Sequence, residues 1–128
     1  MIKLQSTGVA ELQNWRELKV WQKSMKFVTD IYKLTQDFSD IEKFGLTSQI
    51  RRSAVSIPSN IAEGFGRRLP KEFIRFLRIS ISSLFELQTQ LEICKNINLT
   101  DSNIFNQFYE DSREIERMLK GLTSSIKI

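Results

Sequence analysis

Residues 70–96 read PKEFIRFLRISISSLFELQTQLEICKN and carry the most regular hydrophobic pattern of the chain. Apolar and small side chains recur there at alternating steps of four and three residues, at Phe73, Leu77, Ser80, Leu84, Leu87, Leu91 and Cys94. This spacing predicts an amphipathic α-helix sustained for about three heptads. Pro70 suits a first helical turn, and Asn96 and Asn98 signal the end of the helix.

Two further helices are predicted from similar patterns. The first runs from about residue 17 to 36, with its seam at Leu18, Trp21, Met25, Val28, Tyr32 and Thr35. The last begins after Thr100 and Asp101, a good N-cap pair, and runs to about Ser125. Its seam is traced by Ile104, Phe108, Asp111, Ile115, Met118 and Leu122.

A helix from about residue 42 to 65 precedes the quoted stretch. Its inner face is predicted at Leu46, Ile50, Ala54, Ile57 and Ile61. Pro58 removes one helical hydrogen bond and crowds the Ala54 carbonyl, so we expect a bend or a break there. Gly64 and Gly66 are predicted to end the helix as C-cap residues.

Four long helices with short connections predict an all-α protein, an antiparallel up-down-up-down four-helix bundle. We assign residues 15–128 to the bundle and residues 1–14 to a loosely ordered leader. Phe27, Ile31 and Leu34 have no obvious place in a single bundle core. A second buried surface would accommodate them, which predicts self-association.

The composition argues against an enzyme. The 128 residues include no histidine, which removes the usual general base and the commonest transition-metal ligand. One cysteine, Cys94, allows neither an intrachain disulfide nor a structural zinc site. We therefore predict no catalytic residues, no metal and no cofactor. No signal peptide or membrane span is apparent, so we expect a cytoplasmic protein.

Two carboxylates, Glu63 and Glu86, sit among apolar residues in the sequence. A hydrolase that uses paired carboxylates is conceivable on this basis. A buried or interfacial ion pair with Arg51 or Arg52 is the interpretation that we favour for these two side chains.

The positive charge is concentrated in one window. Residues 51–78 hold seven bases and two acids, a net charge of +5, whereas the whole chain carries +4. Five of these bases form a strip that leads into the third helix: Arg67, Arg68, Lys71, Arg75 and Arg78. Arginine suits phosphate recognition, so the strip is a candidate nucleic-acid contact, although a solvated helix face is the plainer alternative. Phe73 and Phe76 belong to the core, so base stacking is not indicated.

Three stretches resemble the 23S rRNA-intervening-sequence protein family, also called the four-helix-bundle protein family. They are LKVWQ at 18–22 followed by Ile31, Tyr32 and Thr35; FGLTSQIRRSAVSIPSNIAEGFGR at 44–67; and KEF at 71–73, FL at 76–77 and SLFEL at 83–87. The resemblance covers about residues 15–95, and the second stretch is the specific one. Ser53 and Leu69 depart from the pattern, where Ala and a small polar residue are expected.

The resemblance implies a homo-oligomer, a ring-shaped pentamer, that binds nucleic acid, with RNA favoured. Some family members are encoded within insertions in large-subunit rRNA genes. The fold is similar to that of the accessory proteins of diversity-generating retroelements, which work with a reverse transcriptase and RNA. The family signature matches Arg51, Arg52, Ser56, Pro58, Asn60, Glu63, Gly64 and Arg67.

Their chemistry suggests two roles for the signature residues. Pro58, Asn60 and Gly64 shape the helix, whereas Arg51, Arg52 and Glu63 are able to pair across a subunit interface. Glu86 joins this interface group as a further candidate. The leading hypothesis is a non-enzymatic, homo-oligomeric nucleic-acid-binding protein that uses phosphate contacts. The alternatives are a protein-interaction scaffold, for example with a reverse transcriptase, and a purely structural oligomer.

Overall fold

A computed structural model describes residues 12–39 and 45–128 and confirms the all-α four-helix bundle. After a single 3-10 turn at Trp15–Glu17, the helices are α1 (Lys19–Gln36), α2 (Leu46–Gly66), α3 (Pro70–Asn96) and α4 (Ser102–Ser125). Helix α1 packs against α2 and α4, and α3 packs against the same two helices. In each packed pair the residue numbers of successive contacts rise along one helix and fall along the other, so neighbouring helices are antiparallel and the order is up-down-up-down. The predicted loosely ordered leader, residues 1–14, lies mostly within residues 1–11, outside the described residues.

The ends of α3 and α4 lie where the sequence predicts them. Helix α3 begins at Pro70 and ends at Asn96, and Asn98 follows with a φ of 63° in the left-handed region. The Asp101 carboxylate accepts a hydrogen bond from the Ile104 amide at 2.8 Å and caps α4. Between α2 and α3 the chain turns within Arg67–Leu69, and this short connection keeps the two helices in close antiparallel contact.

The predicted seam of α3 is confirmed as the centre of the core. All seven side chains at these positions are at most 1% exposed: Phe73, Leu77, Ser80, Leu84, Leu87, Leu91 and Cys94. The Ser80 hydroxyl donates to the Ile57 carbonyl of α2 at 2.9 Å, so the polar member of the seam is hydrogen-bonded across the helix pair. The inner face of α2 is also confirmed, since Ile50, Ala54 and Ile57 are buried.

The seam predicted for α1 is wrong at Met25 and Tyr32, whereas Trp21 and Val28 are partly buried against the core. Leu18 and Thr35 are buried, but Met25 and Tyr32 are each 41% exposed. The core side of α1 is instead lined by Val20, Ser24, Phe27, Ile31 and Thr35. Apolar residues cover more than half of the helix circumference, so the three-and-four spacing fits two adjacent faces. Phe27 and Ile31 therefore need no second buried surface.

The register predicted for α4 is shifted by about one residue in its first half. Ile104 is 37% exposed, whereas Phe105 is buried. Ser112 and Leu119 likewise lie in the core, and Ile115 is the residue that the predicted and observed faces share. Asp111, the polar residue that interrupted the predicted seam, therefore does not lie in the core, but the observed buried face of α4 has polar residues of its own, Ser112 and Glu116.

Helix α2 continues through Pro58 without interruption, so of the two expected outcomes the break does not occur. Gly64 is not a C-cap residue. It lies inside the helix, and a Cβ at this position would be 2.5 Å from the Cβ of Phe76 in α3. The missing side chain allows the two backbones to approach closely. Gly66 is the last helical residue, and Arg68, with φ 61°, takes the left-handed conformation beyond it.

Candidate nucleic-acid interface

The outer face of α3, opposite its core seam, carries the predicted basic strip. Lys71, Arg75 and Arg78 are all exposed on this face, as their spacing predicts. Together with Ile79 and Ser82 they line a shallow concavity of about 490 Å³. The concavity is therefore lined mainly by basic side chains, together with Ile79 and Ser82, and it is open to solvent along the side of α3.

Two of the five strip residues are neutralised by neighbouring carboxylates. Arg75 donates from Nε and Nη2 to both oxygens of Glu72, at 2.9 and 3.1 Å. Arg67 pairs with Glu63 at 3.3 Å. The hydrogen bond from Arg75 holds the pKa of the Glu72 carboxyl below its usual value, and the same bond raises the pKa of Arg75. Both pairs are exposed, so they contribute little to stability.

The same two arginines cover the ring of Phe76. Their guanidinium carbons lie 5.1 Å (Arg67) and 4.5 Å (Arg75) from the ring centroid. Phe76 itself is only 5% exposed. The Arg67 contact joins the residue that follows α2 to α3, whereas the Arg75 contact lies within α3. The ring is unavailable to a nucleic-acid base, as the sequence indicates.

Arg68 fixes the turn between α2 and α3. Its guanidinium lies 5.0 Å from the centroid of the Phe65 ring and donates from Nη2 to the Gln13 carbonyl at 2.9 Å. These contacts compensate for a left-handed backbone conformation that favours glycine. Arg68 is therefore engaged in the fold, although part of its charge stays at the surface.

Lys71 and Arg78 make no ion pair with any residue in the described ranges. They lie seven positions apart, which is about 10.5 Å along the axis of one helix. Because no carboxylate neutralises them there, these two side chains are the clearest free charges of the predicted strip.

Arg51 and Arg52 do not pair with Glu63 or Glu86 within the described part of the chain. Arg51 instead donates from Nε to the Thr35 hydroxyl at 2.8 Å, and its guanidinium lies 4.4 Å from the Tyr32 ring centroid. The expected intrachain ion pair is therefore wrong. Pairing across a subunit interface stays a prediction, and Arg52 is exposed on α2.

Glu86 is exposed and not enclosed by apolar groups. Its Oε1 accepts a hydrogen bond from the Ser53 hydroxyl at 2.6 Å, which links α3 to α2. A second polar link joins Ser56 to Ser83 at 2.8 Å, and Asn60 donates to the Ser56 carbonyl at 2.8 Å. The Ser53–Glu86 and Ser56–Ser83 bonds therefore join α2 to α3, whereas the Asn60 bond lies within α2.

The sequence analysis missed one aromatic residue of this face. Phe85 lies seven residues beyond Arg78 on the outer side of α3 and is 44% exposed. The Nζ atom of Lys120, from α4, lies 5.6 Å from its ring centroid. The seven-residue spacing from Arg78 to Phe85 indicates that both side chains lie on the same side of the helix. The spacing alone does not distinguish an exposed ring from a half-buried one.

A second surface is the groove between α1 and α2, with a volume of about 330 Å³. It is lined mainly by apolar and small side chains: Trp15, Trp21, Met25, Val28, Val55, Pro58, Ser59 and Ala62. Met25 and Val55 are 41% and 40% exposed. This α1–α2 groove, and not the Phe27 and Ile31 face, is an apolar surface that the bundle leaves uncovered in the described ranges.

The described ranges contain no group of three or more potential metal-binding side chains. Within the same residues, every helix is too short or too polar to span a lipid bilayer. Neither observation adds a function to the two surfaces.

Comparison with known proteins identifies relatives of the chain. The family model described as 23S rRNA-intervening sequence protein matches residues 16–121. A solved structure of a protein with unknown function from the S23 ribosomal protein family of Bacteroides thetaiotaomicron superimposes with a TM-score of 0.78 at 27% identity. The match covers 83% of this chain and 96% of that one. No match was found among curated proteins.

Proposed function

This chain belongs to the 23S rRNA-intervening sequence protein family, and from that premise we propose a non-enzymatic, homo-oligomeric, cytoplasmic protein that binds nucleic acid. RNA is the favoured ligand, and the contacts are to phosphates. Arg67, Arg68, Lys71, Arg75 and Arg78 are the proposed contact residues.

The observation that carries the proposal is the pair of unneutralised cations, Lys71 and Arg78, on one exposed face. A cation without an acidic partner binds a phosphate without first breaking an ion pair. Arg67 and Arg75, in contrast, must each release a carboxylate before they bind a phosphate. Each phosphate that is neutralised releases condensed counterions, so binding should weaken steeply with salt. Contact with three phosphates corresponds to a slope of log affinity against log salt of about −2 to −3.

Charge reversal tests the phosphate contacts. R78E should weaken binding of a fluorescent structured RNA about tenfold or more, because a charge-assisted hydrogen bond is lost and replaced by repulsion. The slope of affinity against salt should become shallower by about one. The matched control is K33E, since Lys33 is an exposed residue of α1 that forms no ion pair in the described ranges.

Fluorescence anisotropy across a salt series gives both quantities, and circular dichroism checks that the variants remain helical. Absence of salt-sensitive binding by the wild-type protein at low ionic strength would refute the proposal. Equal loss in R78E and K33E would refute the assignment to the outer face of α3.

Self-association is the second part of the proposal, with a pentamer implied by the family. The α1–α2 groove supports it, because apolar side chains such as Met25 and Val55 gain burial in an interface. M25D and V55D should lower the mass measured by sedimentation equilibrium. I93D, at a residue of α3 that is 42% exposed, should leave it unchanged. A wild-type monomer at all concentrations would contradict this part.

The same groove favours one alternative, a scaffold that binds another protein. A pull-down with nuclease treatment separates the two functions. A partner that is retained after nuclease, and lost in V55D, supports the scaffold. A partner that is released by nuclease supports nucleic-acid binding.

A further inference from the structure

We propose that Phe85 stacks against an unpaired base, so that the protein takes single-stranded nucleic acid or the unpaired loops of a folded RNA. This inference rests on the proposed function and adds the class of ligand to it. It departs from the expectation that base stacking is absent from this face, because that expectation considered only Phe73 and Phe76.

The exposure of Phe85 sets it apart from the other aromatic residues near the basic strip. Phe65, Phe73 and Phe76 are at most 5% exposed, whereas 44% of Phe85 is accessible. Phe85 forms no ring pair with another aromatic residue of the described ranges. A face of its ring is thus available to a base, whereas arginine side chains and the core cover the other three rings.

Phe85 lies in line with the two cations of the strip that form no ion pair in the described ranges. Lys71, Arg78 and Phe85 are spaced by seven residues, so they follow one line along the helix at intervals of about 10.5 Å. Stacked nucleotides of one strand repeat at about 3.4 Å, so each interval corresponds to about three nucleotides. Ser82 is exposed between Arg78 and Phe85 and offers a hydroxyl to the sugar–phosphate chain.

Lys120 supports the same interpretation from α4. Its Nζ lies 5.6 Å from the Phe85 centroid and is held at 2.9 Å by Glu116. Glu116 is in turn anchored by Gln88 of α3 at 3.2 Å. The ammonium group therefore stays beside the ring, and it meets the phosphate of a stacked nucleotide only by exchanging the Glu116 carboxylate for it. Aromatic rings combined with a basic surface are the usual equipment for single-strand binding.

A duplex does not exploit this arrangement. Its bases are stacked on one another, and an exposed phenyl ring reaches one only by unstacking it. The charges alone would bind a duplex and a single strand through phosphates. The exposed ring adds the stacking energy of one base to single-strand binding and adds nothing to duplex binding, so the protein prefers the single strand.

The test compares F85A with Y32A, a control at an aromatic residue of α1 that is also exposed, at 41%, and also has a cation over its ring. The probes are a 12-nucleotide single-stranded RNA, the duplex of the same sequence and inorganic polyphosphate. F85A should weaken single-strand binding about five- to 150-fold, the range for one stacked base, and leave duplex and polyphosphate binding unchanged. Y32A should bind all three probes like the wild type.

F85W gives an independent readout. It should retain single-strand binding, and fluorescence attributable to the new indole should be quenched by RNA but not by polyphosphate. The contribution of Trp15 and Trp21 is subtracted with the wild-type protein. The stacking proposal is overturned if F85A binds the single strand like the wild type, or if it loses RNA and polyphosphate equally. A change in oligomer mass in F85A would also overturn it and assign the ring to an interface.

Failure of the stacking proposal is distinguishable from failure of the proposed function. If R78E loses salt-sensitive binding while F85A does not change it, nucleic-acid binding stands and stacking falls. If the wild-type protein binds none of the three probes, both fall.

Discussion

Replacement of Gly64 by alanine should destabilise the protein, although alanine is the better helix former. A Cβ at position 64 would lie 2.5 Å from Phe76 Cβ, 3.2 Å from Phe76 Cγ and 3.3 Å from Phe73 Cδ1. The nearest of these atoms is bonded directly to the α3 backbone, so rotation of a side chain does not relieve the contact. Helix α2 or α3 must shift.

The cost is estimated from overpacking and helix propensity. Insertion of a methyl group into a close-packed contact costs about 1–3 kcal/mol, and we take the upper end because the backbone must move. Alanine regains about 1 kcal/mol relative to glycine inside a helix. G64A should therefore lose about 2 kcal/mol of unfolding free energy, which lowers the melting temperature by roughly 8 °C in a chain of this length.

The chain offers a matched control at Gly66, two residues further on. A Cβ at this position would meet no atom within 4 Å, and no glycine of the described ranges has a positive φ. G66A should therefore be neutral or up to about 1 kcal/mol more stable. Thermal and urea unfolding followed by circular dichroism, at one protein concentration, gives the difference between the variants. G64A and G66A within about 0.5 kcal/mol of each other, less than the usual overpacking cost, would refute the close-approach argument.

Two further predictions concern charged side chains. R51A should lose about 1–2 kcal/mol of stability in urea unfolding, because two hydrogen bonds and a cation–π contact with α1 disappear. R52A should change stability by less than about 0.5 kcal/mol. An equal loss in R52A would contradict the assignment of the structural role to Arg51 alone. Burial raises the pKa of Glu116, but hydrogen bonds from Lys120 and Gln88 outweigh burial and hold it below its usual value. The wild type should therefore lose stability as the pH falls from about 5 through this lowered pKa. In a pH series of thermal melts, the melting temperature of E116Q should decline less. Identical curves for E116Q and the wild type would show that Glu116 contributes nothing to the pH dependence.

The sequence predicted α3 well and α1 poorly for one physical reason. In α3 the alternating four-and-three spacing is sustained over seven positions, and this long repeat identifies the buried face although Ile79, Phe85 and Ile93 are exposed elsewhere on the helix. In α1 the stripe is wide, and the choice between the Met25 side and the Phe27 side depends on where α2 and α4 pack. That information is tertiary, and a one-helix pattern does not contain it.

Gly64 illustrates a different limit. Two glycines near the end of a helical pattern are typical of a C-cap, and the sequence offers no sign that one of them meets a neighbouring helix. The residue that adopts the left-handed conformation is Arg68, whose contacts to Phe65 and Gln13 compensate for the missing glycine. Close approach between helices and compensation by distant contacts both require coordinates.

The partial neutralisation of the basic strip was predictable from spacing. Glu63 and Arg67 stand at i and i+4, and Glu72 and Arg75 at i and i+3, which are the separations that bring side chains together on a helix. The two acids pair with Arg67 and Arg75, so five of the seven bases of the window have no ion pair in the described ranges, a number equal to the net charge of +5. Spacing of acids relative to bases therefore adds what net charge lacks, namely which bases are the unpaired ones.

The exposed residues Lys71, Arg78 and Phe85 of α3 are aligned by the same repeat that aligns the core residues of this helix. Because both rows belong to one helix, the seven-residue repeat that places Phe73, Ser80 and Leu87 in the core also aligns Lys71, Arg78 and Phe85 outside it. The next member of the outer row is acidic, since Glu92 follows at the same interval. Glu92 is paired with Lys95 at 3.4 Å and adds neither a free cation nor an aromatic ring to the row, so the proposed face extends from the α2–α3 turn to Phe85. The core pattern thus determines the length of the proposed site as well as its position.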